Sequence, residues 1–444
     1  MHNPLEKDFD LKALLLYTLP SMLMMLFMST YSIIDGVFVS NFVGEDALAA
    51  INIIIPLYVV ILAMALMFST GGNAVMAKLL GENKGHEARQ FLSVLYIIAT
   101  ILGLLSTIGA FIFTDQIVAL LGTSESLYGF SKDYLISLAP FSLALFYQVF
   151  IQSFMVTAGK PGLGLVISVM GGLTNIILDY ILISPQYLDL GIAGAGIATG
   201  LGSTIPGLFG LLYFTFNRKS NLYFVKPKLK LKLLSLSIFN GASELIGNLA
   251  VSITTMMFNI ILLKMVGDAG VSAISVILYI QMFQNALYFG YTLGVSPIIS
   301  FKYGQANHQA LHKVIHQSFK IITISSILVV LITILFSNQA IAIFISNTSN
   351  TFEMAKTGLL LFLPAYIFMG YNIFFSAMFT ALLNGKISAI ISILRSLVFI
   401  VIALMFLPEL LGLNGVWLAI PFAEFFAIII SWGFYKKYRK KYNY

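Results

Sequence analysis

The stretch VGEDALAAINIIIPLYVVILAMALMFSTGG, residues 43–72, decides how the chain folds. No charged side chain stands between Asp46 and Lys78, and about 20 apolar residues are enough for a helix to cross a membrane. The run lacks the period-two alternation of a transmembrane strand, so it reads as a helix. A related stretch, VGDAGVSAISVILYIQMFQNALYFGYTLGV, follows at residues 266–295. A shift of 223 residues places Val43-Gly44-Glu45 on Val266-Gly267-Asp268, Ala50-Ile51 on Ala273-Ile274, Gly71 on Gly294 and Gly81 on Gly304 without a gap. Basic, His-containing loops follow both copies, at 82–89 and 305–313. Later, MVT at 155–157 matches MFT at 378–380, Gly159-Lys160 matches Gly385-Lys386, and Leu190-Gly191 with Gly194 matches Leu411-Gly412 with Gly415.

The rest of the chain has the same character. Of 444 residues, 59% are hydrophobic and 10% charged, against roughly 25% charged in soluble proteins. So few charges exclude a soluble multidomain enzyme, and apolar runs along the whole length exclude a soluble domain on one anchor. Continuous apolar spans are expected near 13–39, 47–78, 91–113, 134–157, 162–184 and 192–216, then 233–263, 271–300, 315–336, 357–382, 387–407 and 414–435. The predicted fold is an all-α polytopic membrane protein of twelve transmembrane helices in two six-helix bundles. A repeat of six spans, an even number, keeps both copies pointing the same way, so a pseudo-two-fold axis along the membrane normal relates them. The expected division is an N-terminal bundle at 1–216, a cytoplasmic linker at 217–232 and a C-terminal bundle at 233–444.

Charge sorts the loops by side. With the amino terminus in the cytoplasm, 22 of the 25 Lys and Arg fall in cytoplasmic segments, Arg395 among them, and only Lys132, Lys264 and Lys356 fall outside. Nine acids lie outside, five inside and four within spans. This follows the positive-inside rule and places both termini in the cytoplasm. The basic run NRKSNLYFVKPKLKLK at 217–232 is read as the linker between bundles, not as a nucleic-acid patch. The chain has no cysteine, which removes disulfide, zinc-thiolate and iron–sulfur chemistry. The opening MHNPLEKDFDLKALL mixes acids and lysines without a small-residue cleavage site, so no removable signal peptide is expected.

The four acids inside spans are Asp35, Asp179, Glu244 and Glu424. An intramembrane carboxylate is costly unless paired, solvated or protonated, which makes each a functional candidate. Asp35 and Asp179 fall at similar depth in the outer half of the first bundle. Asn175 lies one turn before Asp179 on the same face, and Thr199 enters from outside to a similar level. No Lys or Arg is available there, so the acids are expected to hold a proton or a cation. Glu244, with Asn248 one turn on, sits near the midplane as a secondary candidate, while Glu424 stands isolated among phenylalanines and carries no assignment. His308, His312 and His316 repeat every four residues at a cytoplasmic mouth without a nearby acid, and read as a solvated face. The run GIAGAGIATGLG at 191–202 lacks a βαβ context and reads as close helix packing in lipid, not as a nucleotide loop. No Walker lysine motif occurs, so no ATP hydrolysis, no organic cofactor and no enzymatic activity are expected.

These residues resemble the multidrug and toxin extrusion (MATE) transporters of the MOP superfamily, bacterial multidrug-efflux type. The resemblance is carried by YSIIDGVFVSNFVG at 31–44, LLGENKGHEA at 79–88, TNIILDYILI at 174–183, GIAGAGIAT at 191–199 and NGASELIGNLA at 240–250, and it covers nearly the whole chain. It implies cation-coupled antiport in a bacterial plasma membrane, with H⁺ or Na⁺ entry driving efflux. Asp35 then looks like the first-span acid of the amino-terminal lobe, with Asn175, Asp179 and Thr199 as its partners. Tyr134 looks like a further member, and Glu244 resembles a carboxyl-lobe acid used by some members. The tenth span, at 357–382, carries no acid, unlike sodium-coupled members with a carboxyl-lobe site. That departure places coupling in the first lobe.

The resulting expectation is alternating access between two bundles: a lipophilic, cationic small molecule enters from the cytoplasm or inner leaflet, and loading of Asp35 and Asp179 from outside releases it. The expected partners are this substrate and membrane lipid, with a monomeric protein and no nucleic acid. A lipid-linked oligosaccharide flippase is the alternative, but it would need several basic residues in its cavity. An intramembrane aspartyl enzyme is a further alternative that has no use for the duplicated six-span plan; a passive channel is another, which counterflow exchange in proteoliposomes separates from a carrier.

Overall fold

The computed structural model describes residues 3–346 and 349–444, and the first two residues of the opening segment lie outside it. Twelve helices are long and apolar enough to cross a membrane. They are α1 (Leu11–Phe42), α2 (Asp46–Gly81), α3 (Gly85–Ile112), α4 (Glu125–Thr157), α5 (Pro161–Ile183) and α6 (Gly191–Phe216). The second set is α7 (Leu231–Val266), α8 (Asp268–Gly304), α9 (His308–Ala342), α10 (Asn350–Ala381), α11 (Gly385–Leu411) and α12 (Ala419–Tyr442). No strand occurs among the described residues. Each expected span has its helix, and the ends differ where helix and apolar run are different things. Helix α4 begins at Glu125, nine residues before the expected start, because Lys132 and Asp133 end the apolar run without ending the helix. Pro140 then breaks it locally into a 3-10 turn, Ala139–Phe141. Helix α9 starts at His308, where Asn307 caps it by accepting from Ala310 N–H at 3.0 Å. Before α12 a separate short helix, Leu413–Trp417, takes up the residues expected to open the last span.

The turns repeat as the spans do. Asn83, after α2, and Ala306, after α8, both take left-handed conformations (φ 60° and 53°) and lie 223 residues apart. Gly159 and Leu383 close α4 and α10 in the same way (φ 78° and 57°). Helices often end on one left-handed residue, so the two halves share a chain path that their side chains barely record. Packing repeats too. In the first half α1 lies on α5, α5 on α6, α6 on α4, α4 on α2 and α2 on α3; in the second α7 lies on α11, α11 on α12, α12 on α10, α10 on α8 and α8 on α9. Between the halves α2 packs on α7 and α1 on α8, a crossing pattern that maps onto itself when the halves are exchanged.

The glycines aligned by the repeat explain that seam. A Cβ on Gly71 would stand 1.9 Å from the carbonyl oxygen of Ser237 on α7, and one on Gly241 would stand 1.9 Å from that of Met67 on α2. At the helix ends Gly81 meets the Phe301 carbonyl and Gly304 meets the Lys78 carbonyl, at 2.2 and 2.3 Å for the added Cβ. Gly290 and Gly294 face Met22 and Thr18 of α1 in the same manner. Such small residues let helix backbones touch where lipid supplies no hydrophobic drive.

All these contacts lie toward the end of the molecule that carries both termini. One continuous core crosses the two halves there, joining Met22, Val75, Phe91 and Phe154 to Phe301, Phe375 and Tyr442. Toward the opposite end the core divides in two, one part around Ile51, Val118 and Ile192, the other around Phe258, Phe362 and Trp417. The halves are therefore joined at the terminal end and separate at the far end. An amino-terminal strap adds to the join. Leu5 and Phe9 are buried, Pro4 sits against Gly159 of the first half, and two lysines of the second half hold the strap. Lys302 donates to the Glu6 carbonyl at 2.8 Å, and Lys313 pairs with Asp8 at 2.6 Å.

The run at 217–232 folds back on α3 before α7 begins. Arg89 donates to the Asn221 carbonyl at 3.0 Å and stacks on Tyr223, and Lys230 pairs with Glu87 at 2.6 Å. Arg395 corrects the sorting of charges by loop. It lies ten residues inside α11, with its side chain only 15% exposed, and is an intramembrane cation. The three histidines of α9 are exposed, and His312 stacks on His316; among the described residues no group of three His, Cys, Asp or Glu gathers as a metal site.

Candidate functional site

Helix α5 enters the first bundle on small residues. Gly171 faces the Gly202 carbonyl and Pro206 of α6, Gly172 faces Phe27 and Tyr31 of α1, and Gly202 faces Cβ of Asn175. These contacts draw α1, α5 and α6 together at the level of the acids. Asp35 lies seven residues before the end of α1, Asp179 four before the end of α5, and Thr199 eight after the start of α6. All three therefore sit toward the far end of the molecule, where the two halves are separate.

The structure brings the predicted group together. Asp35 and Asp179 are neighbours close enough to act on each other. Asn175 and Asp179 are both buried on one face of α5, and Tyr134 of α4 stands beside Thr199 and both acids. Oδ1 of Asp35, both carboxylate oxygens of Asp179, both amide atoms of Asn175 and Oγ1 of Thr199 are all buried without a protein hydrogen-bond donor or acceptor. Buried polar atoms are nearly always partnered, and here six atoms on four residues lack a partner within the protein. Their chemistry is all oxygen apart from the Asn175 amide nitrogen. Two more tyrosines are near, Tyr31 beside both acids and Tyr58 beside Asp35. Tyr31 stands one turn before Asp35 on α1, and that spacing could have exposed it; Tyr58 leaves no comparable mark.

The second half holds a different arrangement. Glu244 lies thirteen residues into α7 and, with Asn248, lines a cavity of about 600 Å³ walled by α7, α8, α10 and α11, with Met25 and Ser29 of α1 and Val59 of α2 completing it. Asn248 turns its amide to the Glu244 main-chain carbonyl at 2.8 Å, not to the carboxylate. Glu424 is not isolated among phenylalanines. Asn372 of α10 donates to its Oε2 at 2.6 Å and to its carbonyl at 2.9 Å, and Arg395 of α11 lies 3.7 Å from its Oε1. The tenth span, which lacks an acid at this depth, contributes Asn372 instead. Outside the spans, charges behave as ordinary rim groups. Burial pushes the Glu82 carboxyl up, but Lys84 and then Lys78 outweigh it and leave it below the usual carboxylate range, and Lys132, then Tyr128, hold Asp115 down.

Comparison with known proteins adds a separate line of evidence. The MatE family model matches twice, at residues 20–181 and 245–405, two stretches of nearly equal length, one in each half. The multidrug export protein MepA of Staphylococcus haemolyticus is 26% identical over 428 residues, covering 94% of this chain and 92% of the relative. Its namesake from Staphylococcus saprophyticus is 27% identical over 433 residues with the same coverage. Among solved structures, a MATE transporter in the straight conformation superposes with a TM-score of 0.91 at 22% identity, covering 99% of this chain and 98% of the other. An outward-facing multidrug resistance MATE transporter of the MOP superfamily gives 0.90 at 22% identity, covering 98% and 97%. At that identity these structures speak to the fold.

Proposed function

The chain belongs to the MatE family, and on that premise we propose that it is a bacterial multidrug exporter. It moves lipophilic, cationic small molecules out across the plasma membrane in exchange for H⁺ or Na⁺, by alternating access of its two halves. The observation that carries the coupling reading is the group of orphaned atoms on Asp35, Asn175, Asp179 and Thr199. Two carboxylates facing each other with no donor repel unless a proton is shared or a cation sits between them. Asp35, Asp179, the Asn175 carbonyl and the Thr199 hydroxyl offer oxygen ligands of the kind hard cations take. A proton needs only the two acids.

The cycle follows from the placement. With both termini cytoplasmic, the far end faces outside, so an ion arriving from outside reaches Asp35 and Asp179 first. Loading removes the repulsion between α1 and α5 and changes how the outer half of the first bundle packs, which releases the exported molecule outward. One charge falling through 100 mV supplies roughly 2.3 kcal/mol, enough to shift such an equilibrium about fiftyfold. The flippase alternative draws no support from the cavity, whose lining has one basic residue, Arg395, already matched by acids.

Inverted vesicles test the reading. Dye export energised separately by proton and sodium gradients should respond to one of them, and Asp35→Asn should abolish it while insertion and thermal stability persist. Full export by the Asp35→Asn protein would refute the assignment.

A further inference from the structure

Glu244, Arg395 and Glu424 form a second ionisable cluster, in the carboxyl half, that the coupling site does not use. Two of its members, Glu244 and Arg395, are the charged side chains lining the cavity of about 600 Å³. Its other walls mix polar groups (Asn248, Thr255, Gln281, Asn285) with Met25, Met282 and Phe289. That size and mixture suit a drug-sized organic molecule, and methionines let such a wall adapt.

Arg395 is shared unequally. It emerges from a π-turn, Leu394–Val398, a distortion often found at functional positions. Ser392, one turn earlier, donates to the Ser243 carbonyl at 3.0 Å, which ties α11 to α7 beside Glu244 and brings Arg395 within electrostatic reach of that acid. Yet its Nη1 turns to Glu424, at 3.7 Å, too far for a hydrogen bond, and makes no other. Glu424 is only 4% exposed and fixed: Asn372 donates to it twice, and the Asn372 oxygen accepts from Ser431 at 3.1 Å. The guanidinium therefore leans on the anchored acid. By formal charge two carboxylates and one guanidinium leave one negative charge, and Glu244 is the carboxylate that lines the cavity.

We propose that Glu424, anchored by Asn372, holds Arg395 off Glu244 and so sets the charge class of the cavity's ligand, a monovalent organic cation that Glu244 meets. A dication would need the second carboxylate, which Arg395 already occupies. A neutral ligand would leave Glu244 uncompensated. Glu424 is on this account a positioning residue, acting through Arg395. The inference deepens the export reading and rests on it only in that the bound molecule is the exported one.

The test is equilibrium binding of ethidium, a monocation, and propidium, its dicationic relative, to the purified full chain in detergent. Glu424→Gln should release Arg395 onto Glu244 and weaken ethidium at least tenfold, as should Glu244→Gln. The double variant Arg395→Gln/Glu424→Gln removes the competitor and should bind ethidium within threefold of the unaltered protein, a recovery that lost folding would not produce. Arg395→Gln alone leaves both carboxylates free and should improve propidium relative to ethidium at least tenfold, which keeps the idea testable if Glu424→Gln fails to fold. Unchanged ethidium affinity in folded Glu424→Gln, or a double variant as weak as that single one, would overturn the proposal. So would an Arg395→Gln protein with unaltered preference. The binding assay uses no ion gradient, whereas the coupling reading is tested by gradient-driven export from inverted vesicles, so failure here and failure of that reading are separate results.

Discussion

Replacing Gly71 with alanine should pry the two halves apart at the terminal end. The added Cβ would lie 1.9 Å from the Ser237 carbonyl oxygen and 2.9 Å from the Gly241 nitrogen, both backbone atoms that no rotamer change can move. An ordinary contact needs about 3.5 Å, so α2 and α7 must separate by roughly 1.5 Å. Overpacking of this kind costs about 1–3 kcal/mol. The contact exists only while the halves are joined, so the cost falls on that state alone and lowers its population relative to the opened one about 5- to 150-fold. Because the chain has no cysteine, spin labels can be placed at will: His86→Cys and Gln309→Cys are exposed, lie at equivalent points of the two halves and stand clear of the seam. Distance distributions in lipid should show the long-distance fraction rising at least fivefold in Gly71→Ala. Gly433→Ala, where an added Cβ meets nothing within 4 Å, should leave the distribution alone. A Gly71→Ala distribution matching the unaltered protein would refute the argument that this seam holds the halves together.

Three further outcomes follow from named contacts. Asn372→Ala removes both hydrogen bonds to Glu424 and should cost about 1–3 kcal/mol, read as a lower melting temperature in detergent. Thr199→Val keeps the shape of α6 but deletes an orphaned hydroxyl; ion-driven dye export should fall while the melting temperature holds, and unchanged export would remove Thr199 from the site. Glu82, depressed by Lys84 and Lys78 against the opposing effect of burial, should stabilise the fold above its ordinary pKa and lose that contribution as pH falls through its lowered value. Rim pairs of this sort are worth less than about 1 kcal/mol, so Glu82→Gln should flatten only slightly the loss of stability below pH ~4, as followed by thermal melts.

The twelve spans were legible because length and apolarity nearly suffice in a membrane. Their ends were not: at Glu125 and His308 the helix runs on through polar residues that leave the apolar stretch. The repeat was legible through Gly71, Gly81, Gly294 and Gly304, and the contacts of those glycines show why they stand out when little else aligns. Side chains along a span can vary with the lipid, but a backbone-to-backbone contact admits one residue type. Asp35, Asn175 and Asp179 could be gathered by depth alone. Tyr58 could not, being one of 21 tyrosines with nothing in its spacing to single it out. Arg395 was misplaced because sorting charges by loop assumes that a cation avoids lipid. Its partner is 29 positions away on the next helix, and its neighbour Glu244 lies on α7 in the same cavity lining, relations that no periodicity within a single span encodes. Asn372 was readable only as the absence of an acid.

The amino-terminal strap bears on timing. In an alternating cycle the terminal end must part, and the strap spans that join from Gly159 to Lys302 and Lys313. Freeing it would expose Leu5 and Phe9, about 1.5–3 kcal/mol for each, on a segment with no other work to do in the cycle. In such a cycle the segment would act as a detent, lengthening the dwell between turnovers without touching the Asp35–Asp179 group. If the protein exports by such a cycle, shortening this strap should be read as faster, leakier turnover before it is read as lost stability.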